Sequence, residues 1–135
     1  MSQENVEIVR RGWDAWLRGD LPGVFREYDP EVVWDMSHFR DSPESEFRGT
    51  ENLGRYFNDL LAIWDDYEVG VDEILAAPDG RVVTLYWQRG RGRRSGLAME
   101  TAEVAHIATV RDGKITYIEI YSDRAEALEA AGLLE

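Results

Sequence analysis

The sequence predicts an α+β fold in which helices pack against a mostly antiparallel sheet. Apolar side chains recur at helical spacing near the start of the chain and again between Thr50 and Trp64. From Tyr67 onward the apolar period changes from about 3.6 to about 2 residues, which indicates strands. Near the end, Asp112-Gly113 separates two apolar runs, and this arrangement is a strong signal for a β-hairpin.

Two helices are predicted before the first strand. The first carries an apolar stripe that reaches Leu17, and Gly19 can end it. Asp20 is a suitable N-cap for a second, shorter helix. We expect this helix to bury Tyr28 and to end at Asp29-Pro30, because the residue before a proline is forced out of the helical region.

The first strand is predicted over residues 31–37. Its alternation places Trp34 and Met36 on one face and Asp35 on the other. The segment 38–49 is polar and contains a proline and a glycine, both of which interrupt regular structure. We therefore expect this segment to form a loop or a lid.

One predicted helix precedes the last four strands and another follows them. Thr50 is expected to cap the third helix, and Asp123 is expected to cap the last one. The remaining strands are predicted over residues 68–76, 81–89, 97–110 and 114–122. The predicted order is α-α-β-α-β-β-β-β-α, in a single domain that covers residues 1–135.

The composition excludes several kinds of partner and site. The 27 acidic and 15 basic side chains give a net charge of −12, which repels nucleic acids and anionic membranes. The absence of cysteine excludes disulfides and thiolate chemistry, and it suits a reducing compartment. The first residues lack the pattern of a signal peptide, and no apolar run approaches the roughly 20 residues that span a bilayer. We expect a cytoplasmic protein with no nucleic-acid or membrane partner.

Short motifs are distributed over nearly the whole chain. They are GDL at 19–21, FRGTENLGRYF at 47–57, RGRGRRSG at 89–96, RDGKITYIEIYSD at 111–123 and DRAEALEAAGL at 123–133. Together with the order of elements, they resemble the SnoaL-like branch of the nuclear transport factor 2-like superfamily. The resemblance implies a cone-shaped α+β barrel, in which a curved sheet wraps around the N-terminal helices and leaves a pocket. It also implies a homodimer through the outer face of the sheet.

Relatives with known chemistry place acids where this chain has other residues. The general-base aspartate of ketosteroid isomerases falls on Met36, their hydrogen-bonding tyrosine on Gly12 and their protonated aspartate on His106. The last-strand acid of limonene epoxide hydrolases falls near Ile120. The resemblance therefore implies neither of these two activities. It leaves open a cyclase-like or isomerase-like reaction that uses a different acid or base and no cofactor.

Three side chains are candidates for acid–base catalysis. His106 lies in an apolar run, where a histidine can act near neutral pH or can be a buried residue bonded to the backbone. Asp35 is expected to face away from the pocket unless a bulge reverses it, so a surface carboxylate is the main alternative. His38 falls on the side of Met36 if the strand continues, at the expected pocket mouth.

Aromatic and apolar residues are expected to line the pocket. Aromatic stripes at helical spacing more often belong to a filled hydrophobic core, which is the alternative for these residues. Tyr86 and Trp87 are neighbours on one strand, so one faces inward and the other outward. Tyr117, Glu119 and Tyr121 are expected on the outer face. The predicted lining residues are Trp13, Trp16, Trp34, Met36, Tyr56, Phe57, Trp64, Tyr86, Glu100, Val104, Ile118 and Ile120.

Two further features receive no functional assignment. The two histidines are 68 positions apart and belong to no metal-binding motif, so no metal site is predicted. The basic turn at 89–96 lacks the pattern of a phosphate-binding loop and joins two strands. Its arginines are expected to pair with acidic patches.

Two classes of function fit these residues. One is a cofactor-independent enzyme in which a single histidine or carboxylate acts as acid or base on an apolar, cyclic small molecule. The other is a non-catalytic domain that binds a hydrophobic small molecule in the same pocket. A complete acid–base pair directed into the pocket would favour the enzyme, whereas one lone polar group would favour the binding domain.

Overall fold

The structure is a computed structural model that describes residues 2–40 and 45–134. Within these residues, no helix has both the length and the apolar composition required to cross a membrane. In chain order, the elements are α1 (Ser2–Leu17), α2 (Leu21–Arg26), β1 (Tyr28–His38), β2 (Glu46–Arg48), α3 (Thr50–Ile63), β3 (Trp64–Ala76), β4 (Val82–Gly92), β5 (Ala98–Arg111), β6 (Lys114–Tyr121) and α4 (Arg124–Ala130).

The six strands form one curved sheet that does not close on itself. Their order is β2-β1-β6-β5-β4-β3, in which β1 runs parallel to β6 and the other neighbours are antiparallel. Helices α1, α2 and α3 pack on one face, which we call the inner face, and α4 packs on the opposite, outer face. This arrangement confirms the predicted α+β class and the cone-shaped architecture.

The first strand begins earlier than predicted. Helix α2 ends at Arg26, and Tyr28 belongs to β1, where it pairs with Ile115 of β6. Pro30 therefore lies inside the strand and does not end the helix. The register of β1 against β6 shifts between Tyr28 and Val33, and such an irregularity accommodates a residue that has no N–H to donate to the ladder.

The segment predicted as a loop or lid contains an additional strand. Strand β1 continues to His38, and β2 pairs with it in antiparallel orientation, with Phe47 opposite Trp34. Three residues are too few to show a recognisable alternation, which explains why the sequence did not reveal β2. Residues 41–44 of the predicted lid lie outside the described residues.

Capping side chains and a glycine-containing turn occur at several helix and strand ends. The carboxylates of Asp20 and Asp123 cap α2 and α4, as predicted. The prediction for α3 was wrong by one residue, because Gly49 is the N-cap and Thr50 is already helical. The Asp112-Gly113 turn between β5 and β6 has φ values of 50° and 79°, which a type I′ hairpin turn requires.

Apolar side chains are buried on both faces of the sheet. The inner-face core joins the strands to α1, α2 and α3, and Val32, Leu53 and Ile118 are fully buried within it. Burying such a side chain contributes about 1.5–3 kcal/mol. The outer-face core joins the sheet to α4 and consists of Ala77, Val83, Leu85, Ala105, Ile107, Tyr121, Ala127 and Ala131. Helix α4 thus covers part of the outer face, and the homodimer through that face stays a prediction.

Candidate functional site

A cavity of about 90 Å³ lies between the inner face and the three helices that cover it. A water needs roughly 10–15 Å³ of such volume, so the cavity has room for about six to nine water-sized groups. Eight of its lining residues are Trp, Tyr or Phe. The lining consists of Val9, Gly12, Trp13, Trp16, Val24, Tyr28, Trp34, Met36, Tyr56, Phe57, Leu60, Tyr67, Val69, Tyr86, Gln88, His106, Ile115 and Ile120.

The periodicity of each element explains which side chains reach the cavity. Helix α1 contributes Val9, Gly12, Trp13 and Trp16, which are spaced i, i+3, i+4 and i+7 and therefore share one face of the helix. The strands contribute alternate residues, because successive side chains on a strand point to opposite faces. Tyr86 is therefore the inward member of its neighbouring pair, and Trp87 does not line the cavity.

His106 is the imidazole in the cavity wall. It lies on β5, is 4% exposed and is surrounded by aromatic rings. Its ring centroid lies 5.3 Å from that of Trp13, 5.6 Å from that of Trp34 and 6.4 Å from that of Tyr86. Apolar surroundings of this kind remove the histidine from water.

Burial determines the protonation state of His106. Desolvation disfavours the imidazolium form and lowers the pKa of His106 to about 3. The ring is therefore neutral at physiological pH, with one nitrogen as a donor and the other as an acceptor. Among the residues that the structure describes, its Nδ1 is the one buried side-chain nitrogen or oxygen without a hydrogen-bond partner. Such an orphan atom is costly unless something else binds it.

Three hydrogen bonds join other polar groups of the wall to partners within the protein. The pairs are the Trp13 indole N–H with Thr84 Oγ1 (3.1 Å), the Tyr67 hydroxyl with Gln88 Oε1 (2.7 Å) and the Trp34 indole N–H with the Met36 sulfur (3.1 Å). These groups hold the aromatic rings in place, because each bond fixes the orientation of a side chain that borders the cavity.

The cavity wall carries no formal charge at neutral pH. Burial raises the pKa of its four tyrosine hydroxyls, so these groups stay protonated. Across residues 2–40 and 45–134, the lining includes no Asp, Glu, Lys or Arg. An anion would have to give up its hydration here without meeting a positive charge, which is unfavourable.

Two of the three candidate catalytic residues lie on the outer face. The Tyr117 hydroxyl donates to Asp35 Oδ2 at 2.7 Å, and this pair is remote from the cavity lining. Burial opposes ionisation of Asp35, but hydrogen bonds from Ser37 and Tyr117 outweigh it and hold the pKa of the carboxyl below its ordinary value. A low pKa and outward orientation do not suit an acid or base for a ligand in the cavity.

His38 lies on the outer face because of a bulge. Asp35 is opposite Glu119 and His38 is opposite Tyr121, so three residues of β1 pass two residues of β6. The prediction that His38 lies on the side of Met36 is therefore wrong, because the extra residue reverses the alternation. The His38 ring stacks on that of Tyr121 at 4.4 Å, and its Nε2 lies 3.7 Å from Glu119 Oε1.

The outer-face residues Asp35, His38 and Glu119 form a compact group. Their potential metal-ligand atoms all lie within 4.8 Å of one another, although no metal site was predicted. Other groups already contact the carboxylates: the Tyr117 hydroxyl donates to Asp35, and Arg81 Nη1 lies 3.6 Å from Glu119 Oε2. The arrangement is explained by these contacts within the chain, and we assign no metal to it.

Four predicted lining residues do not reach the cavity. Val104 and Ile118 are buried in the solid part of the inner-face core. Trp64 ends α3 and begins β3 in an extended conformation, so its ring leaves the helical face. Glu100 is exposed opposite Arg89, because a register shift between β4 and β5 reverses its orientation relative to His106. The other predicted lining residues all border the cavity.

The sequence did not reveal several residues that line the cavity. Val9 and Gly12 belong to the recognised stripe of α1, so helical spacing could have identified them. Gln88 lies two residues after Tyr86 on β4, so strand alternation could have identified it as well. Tyr67 could not be assigned from the sequence, because it lies beside a bulge. At this bulge Asp66 has a φ of 53° and the register of β3 against β4 shifts.

Comparisons with known proteins agree with this architecture. The chain is 31% identical over 123 residues to an uncharacterised protein of Mycobacterium tuberculosis, which covers 90% of this chain and 91% of that protein. A nuclear transport factor 2-like protein of Burkholderia thailandensis is 27% identical and superimposes with a TM-score of 0.78, over 93% of this chain and 95% of that one. A proposed polyketide cyclase of Xanthomonas campestris is 19% identical, with a TM-score of 0.72 over 94% and 96%. Residues 9–118 match the SnoaL-like domain, and the chain therefore belongs to the SnoaL-like family.

Proposed function

We propose that this domain binds an uncharged, mainly apolar small molecule in the inner-face cavity. The observation that carries the proposal is the lone imidazole of His106 in a wall of aromatic rings that contains no charged residue. Apolar surface provides most of the binding free energy in such sites, and a few polar groups fix the orientation of the ligand. His106 is one polar group of the wall available for that purpose, since its Nδ1 has no partner.

Several features favour binding over catalysis. A general acid or base is most effective when its pKa is near the working pH, whereas burial lowers the pKa of His106 to about 3. No carboxylate among the described residues joins it in the cavity wall, so the site has no acid–base pair. The other two sequence candidates, Asp35 and His38, are on the outer face.

A cyclase-type activity is the second candidate function. It is supported by the similarity of the fold to that of a proposed polyketide cyclase and by the free imidazole in the cavity. In that reaction the neutral His106 would accept a proton from an apolar, cyclic substrate. Turnover of a bound compound by the unmodified protein, with loss of turnover in His106→Gln and unchanged binding, would favour this candidate over pure binding.

The binding proposal is tested with three single-ring probes that differ in polarity and charge. We expect benzene and phenol to shift the indole N–H signals of Trp13, Trp16 and Trp34 in NMR titrations at pH 7, and phenol to bind more tightly. Benzoate is expected to leave these signals unchanged, because its carboxylate would meet no positive charge in the wall. Absence of any shift with benzene and phenol would contradict the proposal.

A further inference from the structure

One glycine lies in the interior of each of the two longer helices that cover the inner face. Gly12 is in the middle of α1 and Gly54 is in the first half of α3. Glycine is unfavourable at such positions, because it loses more backbone freedom on folding than other residues do. Neither residue has a positive φ, so no special backbone conformation requires a glycine. Backbone conformation therefore explains neither glycine.

The surroundings of the two glycines differ. A Cβ atom on Gly54 would lie 3.6 Å from the Phe25 ring of α2, which is an ordinary van der Waals contact, so an alanine would pack there without displacing its neighbours. A Cβ atom on Gly12 would have no neighbouring atom within 4 Å, although Gly12 is buried and borders the cavity. A buried position with empty space beside it faces the cavity itself. Packing does not explain Gly12.

We infer that Gly12 is a specificity-determining residue, whose missing side chain leaves space for the ligand against the backbone of α1. The inference rests on the proposed binding function. A larger residue at this position would extend into the empty space beside Gly12, which borders the cavity. In a cavity of about 90 Å³, even one methyl group takes a meaningful share of the space.

The same geometry defines the class of ligand. The wall is uncharged and largely aromatic, His106 supplies one free hydrogen-bonding atom, and Gly12 leaves the helix side of the cavity flat. A compact, uncharged ring compound with one hydrogen-bonding substituent fits all three features. The ring lies against α1 at Gly12, and the substituent bonds to the imidazole of His106.

The test compares Gly12→Ala and Gly12→Leu with Gly54→Ala, a matched control in another helix interior. Both alanine variants are expected to raise Tm by about 2–4 °C, because alanine is the better helix former. Only the Gly12 variants are expected to weaken phenol binding, measured by NMR titration. The expected losses are about fourfold for Gly12→Ala, from one methylene-sized group, and at least about tenfold for Gly12→Leu.

The outcomes separate this inference from the function on which it rests. If the unmodified protein binds phenol and the Gly12 variants bind it equally well, the inference about Gly12 is overturned and the binding function stands. If the unmodified protein binds neither phenol nor benzene, both are overturned. Should Gly12→Leu fail to fold, Gly12→Ala against Gly54→Ala decides the matter, because the expected effects on binding differ while those on Tm agree.

Discussion

The two histidines lie on one sheet, each beside aromatic rings, and have opposite environments. His106 is 4% exposed in the inner-face cavity, and its buried Nδ1 has no partner. The His38 side chain is 39% exposed on the outer face, stacked on Tyr121 and close to Glu119. The inner site is therefore uncharged and unsatisfied, whereas the outer site is a network of charges and hydroxyls that satisfy one another. The inner site thus has a polar atom that no group of the protein binds, whereas the polar groups of the outer site contact one another.

Strand alternation produces this difference within single strands. On β1, Trp34 and Met36 border the cavity while Asp35 between them points outward. On β6, Ile120 borders the cavity while Glu119 is on the outer face. A shift of one residue in either strand would turn a carboxylate from the outer face toward the cavity. The register of these two strands thus keeps the cavity free of charge.

Placing a carboxylate on the inner side of β1 should have the largest effect. Met36→Asp is expected to lower the free energy of unfolding by about 3–5 kcal/mol at pH 7, because the new charge would be buried without a partner. Burial raises the pKa of such a carboxyl above its value in the unfolded chain. The penalty is therefore present at neutral pH and disappears as the pH falls toward about 4. Urea denaturation followed by tryptophan fluorescence measures it.

Met36→Asn is the matched control for this charge. It has nearly the same shape and polarity as aspartate but cannot ionise, so the stability difference between the two variants reports the charge alone. We expect the difference to be large at pH 7 and to vanish near pH 4. Equal stability of the two variants at pH 7 would show that the inner side of β1 tolerates a carboxylate, and the contrast between the two faces would be lost.

His106 should make the protein sensitive to acid. The unfolded chain binds a proton at this residue below about pH 6.5, whereas burial lowers the pKa of the folded form to about 3. The unfolded state thus binds more protons between these values, and stability falls as the pH decreases through that range. At pH 5 the expected loss relative to pH 7 is about 2 kcal/mol. His106→Gln should abolish this component in denaturation experiments at both pH values.

Ile107→Val provides the control for a simple packing defect. Ile107 is the next residue on β5, is fully buried in the outer-face core and does not ionise. Its truncation is expected to cost about 0.5–1.5 kcal/mol at either pH, so its offset from the parent stays constant. If the offset of His106→Gln is equally independent of pH, His106 is not held neutral by burial.

Local patterns were sufficient to predict most of the fold. The stripes on α1 and α3, the change of period at Tyr67 and the Asp112-Gly113 turn correspond to elements of the structure. The errors occur where pairing between distant segments overrides a local signal. Locally, Pro30 predicts the end of a helix, but pairing with β6 places it inside a strand. Strand β2 has no pattern of its own and exists because it pairs with β1.

The site was harder to predict because its geometry depends on bulges. His106 and most of the aromatic lining follow from simple alternation and helical spacing. The placements of His38 and Glu100 were wrong because one extra residue in β1 and one in β5 reverse the faces. Such an insertion has no signature in composition. Only the register of a strand against its neighbour shows which side chains face the cavity.

The smallest effect is expected where the outer-face network is broken. Tyr117→Phe removes the hydroxyl that donates to Asp35 at 2.7 Å, in a residue that is 37% exposed. Water can replace this bond, so the free energy of unfolding should fall by about 0.5–1 kcal/mol at most. Because the bond stabilises the carboxylate, its loss should raise the pKa of Asp35, which carboxyl-detected NMR titration measures. Phenol binding should be unchanged, since Tyr117 and the cavity are on opposite faces of the sheet. A loss of phenol binding in this variant would mean that the two faces are coupled, and the separation of the uncharged site from the charged one would not hold.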